Sequence, residues 1–436
     1  MNNILIEIRK LYNKIGESSI YRKIRDYTVP SNDIIKTTAN LSITDGLFWA
    51  IYSSLTVPFV IPLSVFLLGQ NAPVGYITGF PILVVPLAQY LSRYFSRKVK
   101  DLKRLTVYTT ILDRLLWLPV VFLVFVHGHL PTYLLLIILL SVRTFFASFS
   151  GTTWTLWVPG VIPAKMRSNY FSFRNFVMKI FSLAGYALAL GIFLGIKDEE
   201  IAFIAIFLSG SLIFSSISVF IMTRISPYSI PASERITVRK KWTRAFTYFI
   251  IYSLVWNLGY SMILPYFQLY LVSSQYLGQS ESFYTIVYVV IAISFIGSQI
   301  LWGKLANKFG NYRIIWINSV ITILSAMLIP MIHSPLLIFI PSILYGVGQS
   351  GITLSIFNEM LGRSQFSRIN SISTYNLVQS LSVGFGPIFA NFLINIYNVD
   401  IHFIFYVSIG FMFSSLVYFV LSNFKLKRTG NEPTIG

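Results

Sequence analysis

The chain has 436 residues, of which 55% are apolar, 16% aromatic and only 11% charged, and it carries a formal charge of +19. So apolar a composition excludes water as the only solvent and points to a membrane protein. The absence of cysteine excludes disulfides, thiolate nucleophiles and Cys-ligated zinc or iron–sulfur centres.

At the N-terminus, "ILIEIRKLYNKIG" breaks its short apolar run with Glu7 and Arg9, so it does not read as a cleavable signal peptide. Ile4, Ile8, Leu11 and Ile15 fall on one helical face opposite Lys10 and Lys14, with Gly16 as a stop. The expectation is an interfacial helix on the inner leaflet, within a cytoplasmic segment 1–35. Apolar stretches follow near 36–62, 73–92, 105–126, 132–158, 169–195 and 202–223. Each is long enough to cross a ~30 Å hydrocarbon layer as a helix, whereas a β-barrel would show short alternating segments.

A charged stretch with Pro227, Pro231 and "RKK" at Arg239–Lys241 then interrupts the pattern as a linker, 224–243. Six more apolar stretches lie near 244–271, 282–303, 312–332, 335–358, 370–397 and 401–422, followed by a tail, 423–436. The sequence thus predicts an all-α integral membrane protein in which two six-helix bundles, 36–223 and 244–422, are joined by a linker. On this map 29 of the 34 Lys and Arg residues fall on the side of the termini and linker. The positive-inside rule then puts both termini in the cytoplasm and the chain in the plasma membrane as a multi-pass protein. The same asymmetry accounts for the basic excess through topology and anionic lipid, so no nucleic-acid partner is expected.

"RSNYFSFRN", Arg167–Asn175, and "RINSISTYN", Arg368–Asn376, share one pattern. An offset of 201 carries Arg167, Asn169, Ser172, Asn175, Val177 and Gly185 onto Arg368, Asn370, Ser373, Asn376, Val378 and Gly386. An offset of 207 carries Trp49, Ser54 and Pro58 onto Trp256, Ser261 and Pro265. The halves read as copies of one unit, and each quoted stretch opens the fifth helix of its copy. There Arg can face phosphate headgroups while Asn and Ser bond neighbouring loops.

"GKLANKFGNYR", Gly303–Arg313, resembles the loop signature of the major facilitator superfamily of secondary transporters. Gly303, Leu305, Ala306 and Gly310 match it, Asn307 replaces the usual Asp, and Arg313 closes it. The first-half counterpart, "LSRYFSRKVK", keeps Leu91, Arg97 and Lys98 but has Arg93 in the acidic position and Ser96 in the glycine position. "WTLWVPGVIPAKMRSNYFSFRN" is similar to the connection between the fourth and fifth helices of many prokaryotic members. The resemblance implies two bundles rocking about a midplane site, hence alternating access for a small organic solute, in a monomer without a cofactor.

Charged side chains within spans cost roughly 2.5–3.5 kcal/mol each unless paired or hydrated. Asp113 with Arg114 or Arg143 is an expected ion pair lining the cavity, with either arginine available for an anionic substrate group; a purely structural pair is the alternative. Asp45 has two readings. "SITDG" is a helix-start signal that would make it a cap, whereas the repeat aligns it with Tyr252, well inside a span. The buried reading is preferred. Because burial disfavours the charged form of a carboxylic acid, proton coupling is assigned to Asp45, with Asp113 second. Trp49, Tyr52, Asn257 and Tyr260 are cavity candidates. Glu359 and Arg363 form an expected helix-surface pair, and Arg174 and Lys179 are expected to snorkel to the interface. His127, His129, His333 and His402 fall at external ends as ordinary loop residues, and no metal site is expected.

No G-x-x-x-x-G-K-[ST] stretch occurs, which argues against an ATP-driven pump. The acidic cluster Asp198–Glu200 reads as a solvated turn rather than a metal site, so an integral-membrane lipid-modifying enzyme is a weaker alternative. A lipid flippase or scramblase and a non-transporting receptor on the same scaffold are the others.

Overall fold

In hydrocarbon, backbone amides can be satisfied only within helices or closed barrels. The computed structural model describes residues 33–69, 72–99, 101–126, 131–227, 243–363 and 368–428, and among these there is no strand. The twelve helices long and apolar enough to span a membrane are α1 (Ile35–Leu68), α2 (Val74–Ser96), α3 (Leu102–Val126), α4 (Thr132–Val161), α5 (Ala164–Gly195) and α6 (Glu199–Met222), then α7 (Arg244–Val272), α8 (Glu281–Phe309), α9 (Asn311–Met331), α10 (Pro335–Met360), α11 (Arg368–Tyr397) and α12 (Ile401–Leu426). Among the described residues an even number of spans returns Asp33 and Arg428 to one side, here called the terminal side. The expected helix over residues 4–15 and most of the linker lie outside the described residues.

The prolines bend these helices where they remove a backbone donor. α1 tightens to a 3₁₀ turn at Val57–Phe59 around Pro58, and α2 is interrupted at Val84 between Pro81 and Pro86. α6 instead loosens into a π-helical stretch, Ser209–Phe214, where a side chain at Gly210 would meet Thr56 at 2.9 Å.

Packing repeats between the halves. α1 packs on α5 and α6, α2 on α4, and α3 on α4; likewise α7 packs on α11 and α12, α8 on α10, and α9 on α10. The repeated residues make close approaches at two of these contacts. A Cβ at Gly185 would stand 2.8 Å from Ser54 Cβ, and one at Gly386 would stand 2.1 Å from Ser261 Oγ. Gly185 and Gly386 correspond in the repeat, as do Ser54 and Ser261. Small residues let helix backbones approach closely where lipid supplies no hydrophobic drive for association. The repeat therefore preserves the α1–α5 and α7–α11 contacts.

The halves meet through α2 on α11 and α5 on α8. A side chain at Gly79 would meet Gly384 O at 2.6 Å, and one at Gly75 would meet Pro387 O at 2.2 Å. Tyr284 donates to Pro58 O, and Tyr186 and Tyr288 rings lie 5.8 Å apart. All of these lie in the halves of the helices away from the termini. Toward the terminal side, Gly151 and Thr155 of α4 and Thr353 of α10 are exposed where they line pockets. Among the described residues the seam is closed at the far end and open at the terminal end.

The signature stretch is helical for longer than its hydropathy predicts. α8 continues past 303 to Phe309, and the connection to α9 is the single residue Gly310, at φ +84°. Gly303, Leu305 and Asn307 therefore lie in the last turns of α8. Only a residue without a Cβ adopts such a turn without strain, which explains the glycine. Arg313 is exposed in the first turn of α9.

Candidate functional site

Each half holds a pocket. The first, about 350 Å³, is lined by α1, α3, α4, α5 and α6 and contains Asp45, Trp49, Tyr52, Asp113, Arg114, Arg143 and Arg174. The second, about 320 Å³, is lined by α7, α10 and α11 and contains Trp256, Asn257, Tyr260, Gln349, Tyr375 and Asn376. Every charged group lining either pocket belongs to the first.

The predicted ion pair is a three-membered cluster. Asp113, 1% exposed, receives Arg114 Nη1 at 2.5 Å from its own helix, and Arg143 Nε of α4 lies 3.0 Å from its other oxygen. That second approach has ion-pair distance without hydrogen-bond alignment, and Arg114 Nε and Arg143 Nε have no hydrogen-bond acceptor. The aromatic groups of α1 and α3 hold the arginines in place. Arg114 lies 3.8 Å above the Tyr52 ring, and Arg143 lies 4.6 Å above that of Trp117. Tyr52 oxygen accepts from Trp117 Nε1 at 2.7 Å and from Arg143 Nη2 at 3.1 Å.

Asp45 is buried and lies about three turns into a helix that already runs at Asp33, so it is not a cap. Its Oδ1 accepts from Ser218 Oγ of α6 at 2.6 Å. Above it lies Arg174, which does not snorkel as its position near the end of a span predicts. Arg174 is 8% exposed, donates from Nε to Ser42 O at 3.1 Å and stacks 4.4 Å from the Trp154 ring. A Cβ at Gly46 would stand 2.7 Å from Arg174 Nη2, so the glycine after Asp45 makes room for the guanidinium. Lys179 likewise turns to the seam, its ammonium 4.7 Å from the Phe295 ring of α8.

In the second pocket Asn257 donates to Ser253 O at 2.7 Å, Tyr260 pairs hydroxyl to hydroxyl with Tyr345, and Gln349 Nε2 has no partner. Trp49 is 41% exposed at the first pocket, whereas its counterpart Trp256 is buried at the second. Of the repeat-related helix starts, Asn175 is exposed and Asn376 lines the second pocket. The side chains of Arg97, Arg167 and Arg368 lie outside the described residues, as do His127 and His129. Glu359 and Arg363 pair at 2.6 Å, but Arg363 is 3% exposed and also donates to Asn423 of α12. The pair is therefore a buried tie between helices, not a surface one. No cluster of metal-ligating side chains occurs among the described residues.

Residues 114–365, more than half of the chain, match the family model of the Major Facilitator Superfamily. The chain belongs to this superfamily. Members are transporters rather than enzymes, and the resemblance drawn from the signature stretch holds. Solved structures agree on the fold. A bacterial homologue of the iron transporter ferroportin, in an inward-facing state, is 14% identical with a TM-score of 0.66, covering 90% of this chain and 99% of that one. A bacterial homologue of the human lysosomal transporter Spinster, inward-facing and occupied, is 13% identical with a TM-score of 0.67, covering 90% and 98%. The nucleoside transporter NupG is 13% identical with a TM-score of 0.63, covering 88% and 98%. No curated protein matches the chain.

Sequence reasoning missed Arg174, Trp117, Ser218 and Gln349 as site residues. A signal for Arg174 exists. The 201-residue offset sets it on Tyr375, a pocket residue, while the 207-residue offset sets Asp45 on the buried Tyr252.

Proposed function

We propose that this superfamily member is a proton-coupled secondary transporter of a small organic solute, working by alternating access as a monomer in the plasma membrane. Both termini and the 224–243 linker lie in the cytoplasm, and residues 36–223 and 244–422 are the two rocking units. The carrying observation is a seam closed at the far end and open at the terminal end, with a pocket on either side. If the basic terminal side is cytoplasmic, this arrangement is the inward-open one. Two halves with the same internal packing can exchange which end is closed at similar energy.

Asp45 is the proton site of this proposal, with Asp113 second. Asp45 has a neutral partner in Ser218 rather than an arginine within ion-pair distance, so protonation breaks no salt bridge there. Asp113 is held by two arginines, and its protonation would break that pairing. The substrate contacts are Arg143, Arg114, Tyr52 and Trp49 on one side and Asn257 and Tyr260 on the other.

The test is solute flux into proteoliposomes at imposed pH gradients, with wild-type protein and Asp45→Asn. The substituted amide can still accept from Ser218, so the fold is expected to persist. Gradient-driven accumulation is expected to vanish while exchange down a concentration gradient continues. Full gradient dependence in the variant would remove Asp45 from the mechanism.

A further inference from the structure

A transport seam defines where a solute binds, and the balance of charge and hydrogen-bonding groups around it defines which solute. Charge comes first. The first pocket presents three guanidinium groups, Arg114, Arg143 and Arg174, against two carboxylates, Asp45 and Asp113. No other Asp or Glu of the chain falls within the six spans of this half except those at the far-end turn, 198–200. Asp113 alone serves both Arg114 and Arg143. Lys179 packs against Phe295 at the α5–α8 seam and does not line this pocket, so the pocket's own surplus is one positive charge. An uncompensated charge within the hydrocarbon thickness is costly, so a pocket of this composition is stabilised by an anion that enters it.

The hydrogen-bond donors point the same way. Arg114 Nε has no acceptor, and Arg143 Nε has only the misaligned Asp113 Oδ1 at 3.0 Å. Tyr52 oxygen already accepts two hydrogen bonds, from Trp117 and Arg143, which leaves its own O–H proton to be donated elsewhere. Arg143 is also the most exposed of the ion-pair cluster, with its side chain 12% accessible. The second pocket differs in kind. It is lined by no charged side chain, and it offers the aromatic faces of Trp256 and Tyr375 with the amides of Asn257, Gln349 and Gln379. Gln349 Nε2 is unpaired there as well.

Building on the transport reading, we infer that the solute is an organic carboxylate carried on a planar, uncharged ring. The carboxylate is received by Arg143 and the Tyr52 hydroxyl between α1 and α4. The ring lies toward α7, α10 and α11, where aromatic faces and amide groups suit it. One surplus positive charge with Asp45 ionised matches a monoanion, which favours a carboxylate over a phosphate monoester.

The test compares matched acid, amide and amine on one skeleton, using purified wild-type protein in detergent. The probes are benzoate, benzamide and benzylamine, then indole-3-acetate, indole-3-acetamide and tryptamine, read by thermal shift and tryptophan fluorescence. At least one acid is expected to bind, with its amide roughly tenfold weaker or more because charge-assisted hydrogen bonds are lost, and its amine without effect. Equal binding of the amide or amine, or no binding by either acid, overturns the inference. Arg143→Gln is expected to abolish the preference for acids and Arg143→Lys to restore part of it. If Arg143→Gln fails to fold, Tyr52→Phe keeps the ring beneath Arg114 and is expected to weaken acid binding several-fold. An unchanged acid preference in the folded variants also overturns it. Flux in proteoliposomes separates this inference from the transport reading. Acids that bind without being carried sink the transport reading alone, whereas amines that are carried while acids do not bind sink this inference alone.

Discussion

At the scale of single residues, a membrane interior makes each charge informative. Asp113 and its arginines were legible in the sequence because three ionisable groups at mid-span have few ways to avoid water other than pairing. Removing one partner exposes the cost. Asp113→Asn leaves two guanidinium groups facing a neutral amide, and the loss of stability is expected to be about 3–5 kcal/mol, read as a lowered unfolding midpoint in detergent. Arg174 was not legible from hydropathy, which places it near a span end, where a long side chain ordinarily reaches outward; only the repeat register pointed inward. The reason it turns inward is Gly46, one helix away in space and far away in sequence.

Outside the spans, partial burial alone would raise the Asp400 carboxyl. Hydrogen bonds from the Tyr276 hydroxyl and the His402 ring outweigh burial and hold it below the usual carboxylate range. A group depressed in the folded state contributes stability above its unfolded value, roughly pH 4. That contribution is lost as the pH falls through the lower folded value. Asp400→Asn is therefore expected to flatten the acid side of the stability profile and to leave the neutral side unchanged in slope, as followed by thermal unfolding at a series of pH values.

At the scale of helices, span positions were legible because about 20 apolar residues have one stable fate in lipid. The ends were less so. α8 runs on to Phe309 because helix geometry persists beyond the hydrocarbon, where hydropathy no longer reports it. The far-end closure depends on glycine. At Gly79 a side chain would collide with the backbone oxygen of Gly384 across the seam, a contact that no rotamer change relieves. Gly79→Leu is expected to part α2 from α11 at that end and to shift the protein toward the opposite opening. With no cysteine in the chain, a single Thr353→Cys substitution reports on the terminal-side opening without background. Its labelling by a membrane-impermeant thiol reagent should fall several-fold when Gly79→Leu is added; an unchanged rate would show that this contact does not hold the closure.

At the scale of the whole molecule, the duplication was legible through a handful of matched positions. The structure gives a physical reason those positions matched: Gly185 against Ser54, and Gly386 against Ser261, leave no room for a side chain where α5 meets α1 and α11 meets α7. Which end of the seam stands open was not legible. On the alternating-access reading proposed above, two arrangements of one sequence differ by small energies that no residue pattern encodes. The contrast between the pockets was half legible: the sequence supplied Asp45, Asp113, Arg114 and Arg143, but Gln349 was missed because an amide in a span resembles a packing residue.

The two halves share a shape but not a charge, and this inequality has an electrical consequence. On the alternating-access reading, water entering from the open end carries the potential of that side up to the arginines of α3, α4 and α5. When the other end opens, the same groups face the opposite potential. On that reading the surplus positive charge crosses part of the membrane voltage at each turn of the cycle. A full crossing corresponds to about 2.3 kcal/mol per charge for 100 mV. If the terminal side is the negative cytoplasm, as proposed, the voltage favours the terminal-side-open form of the empty carrier, and a bound anion reduces that bias.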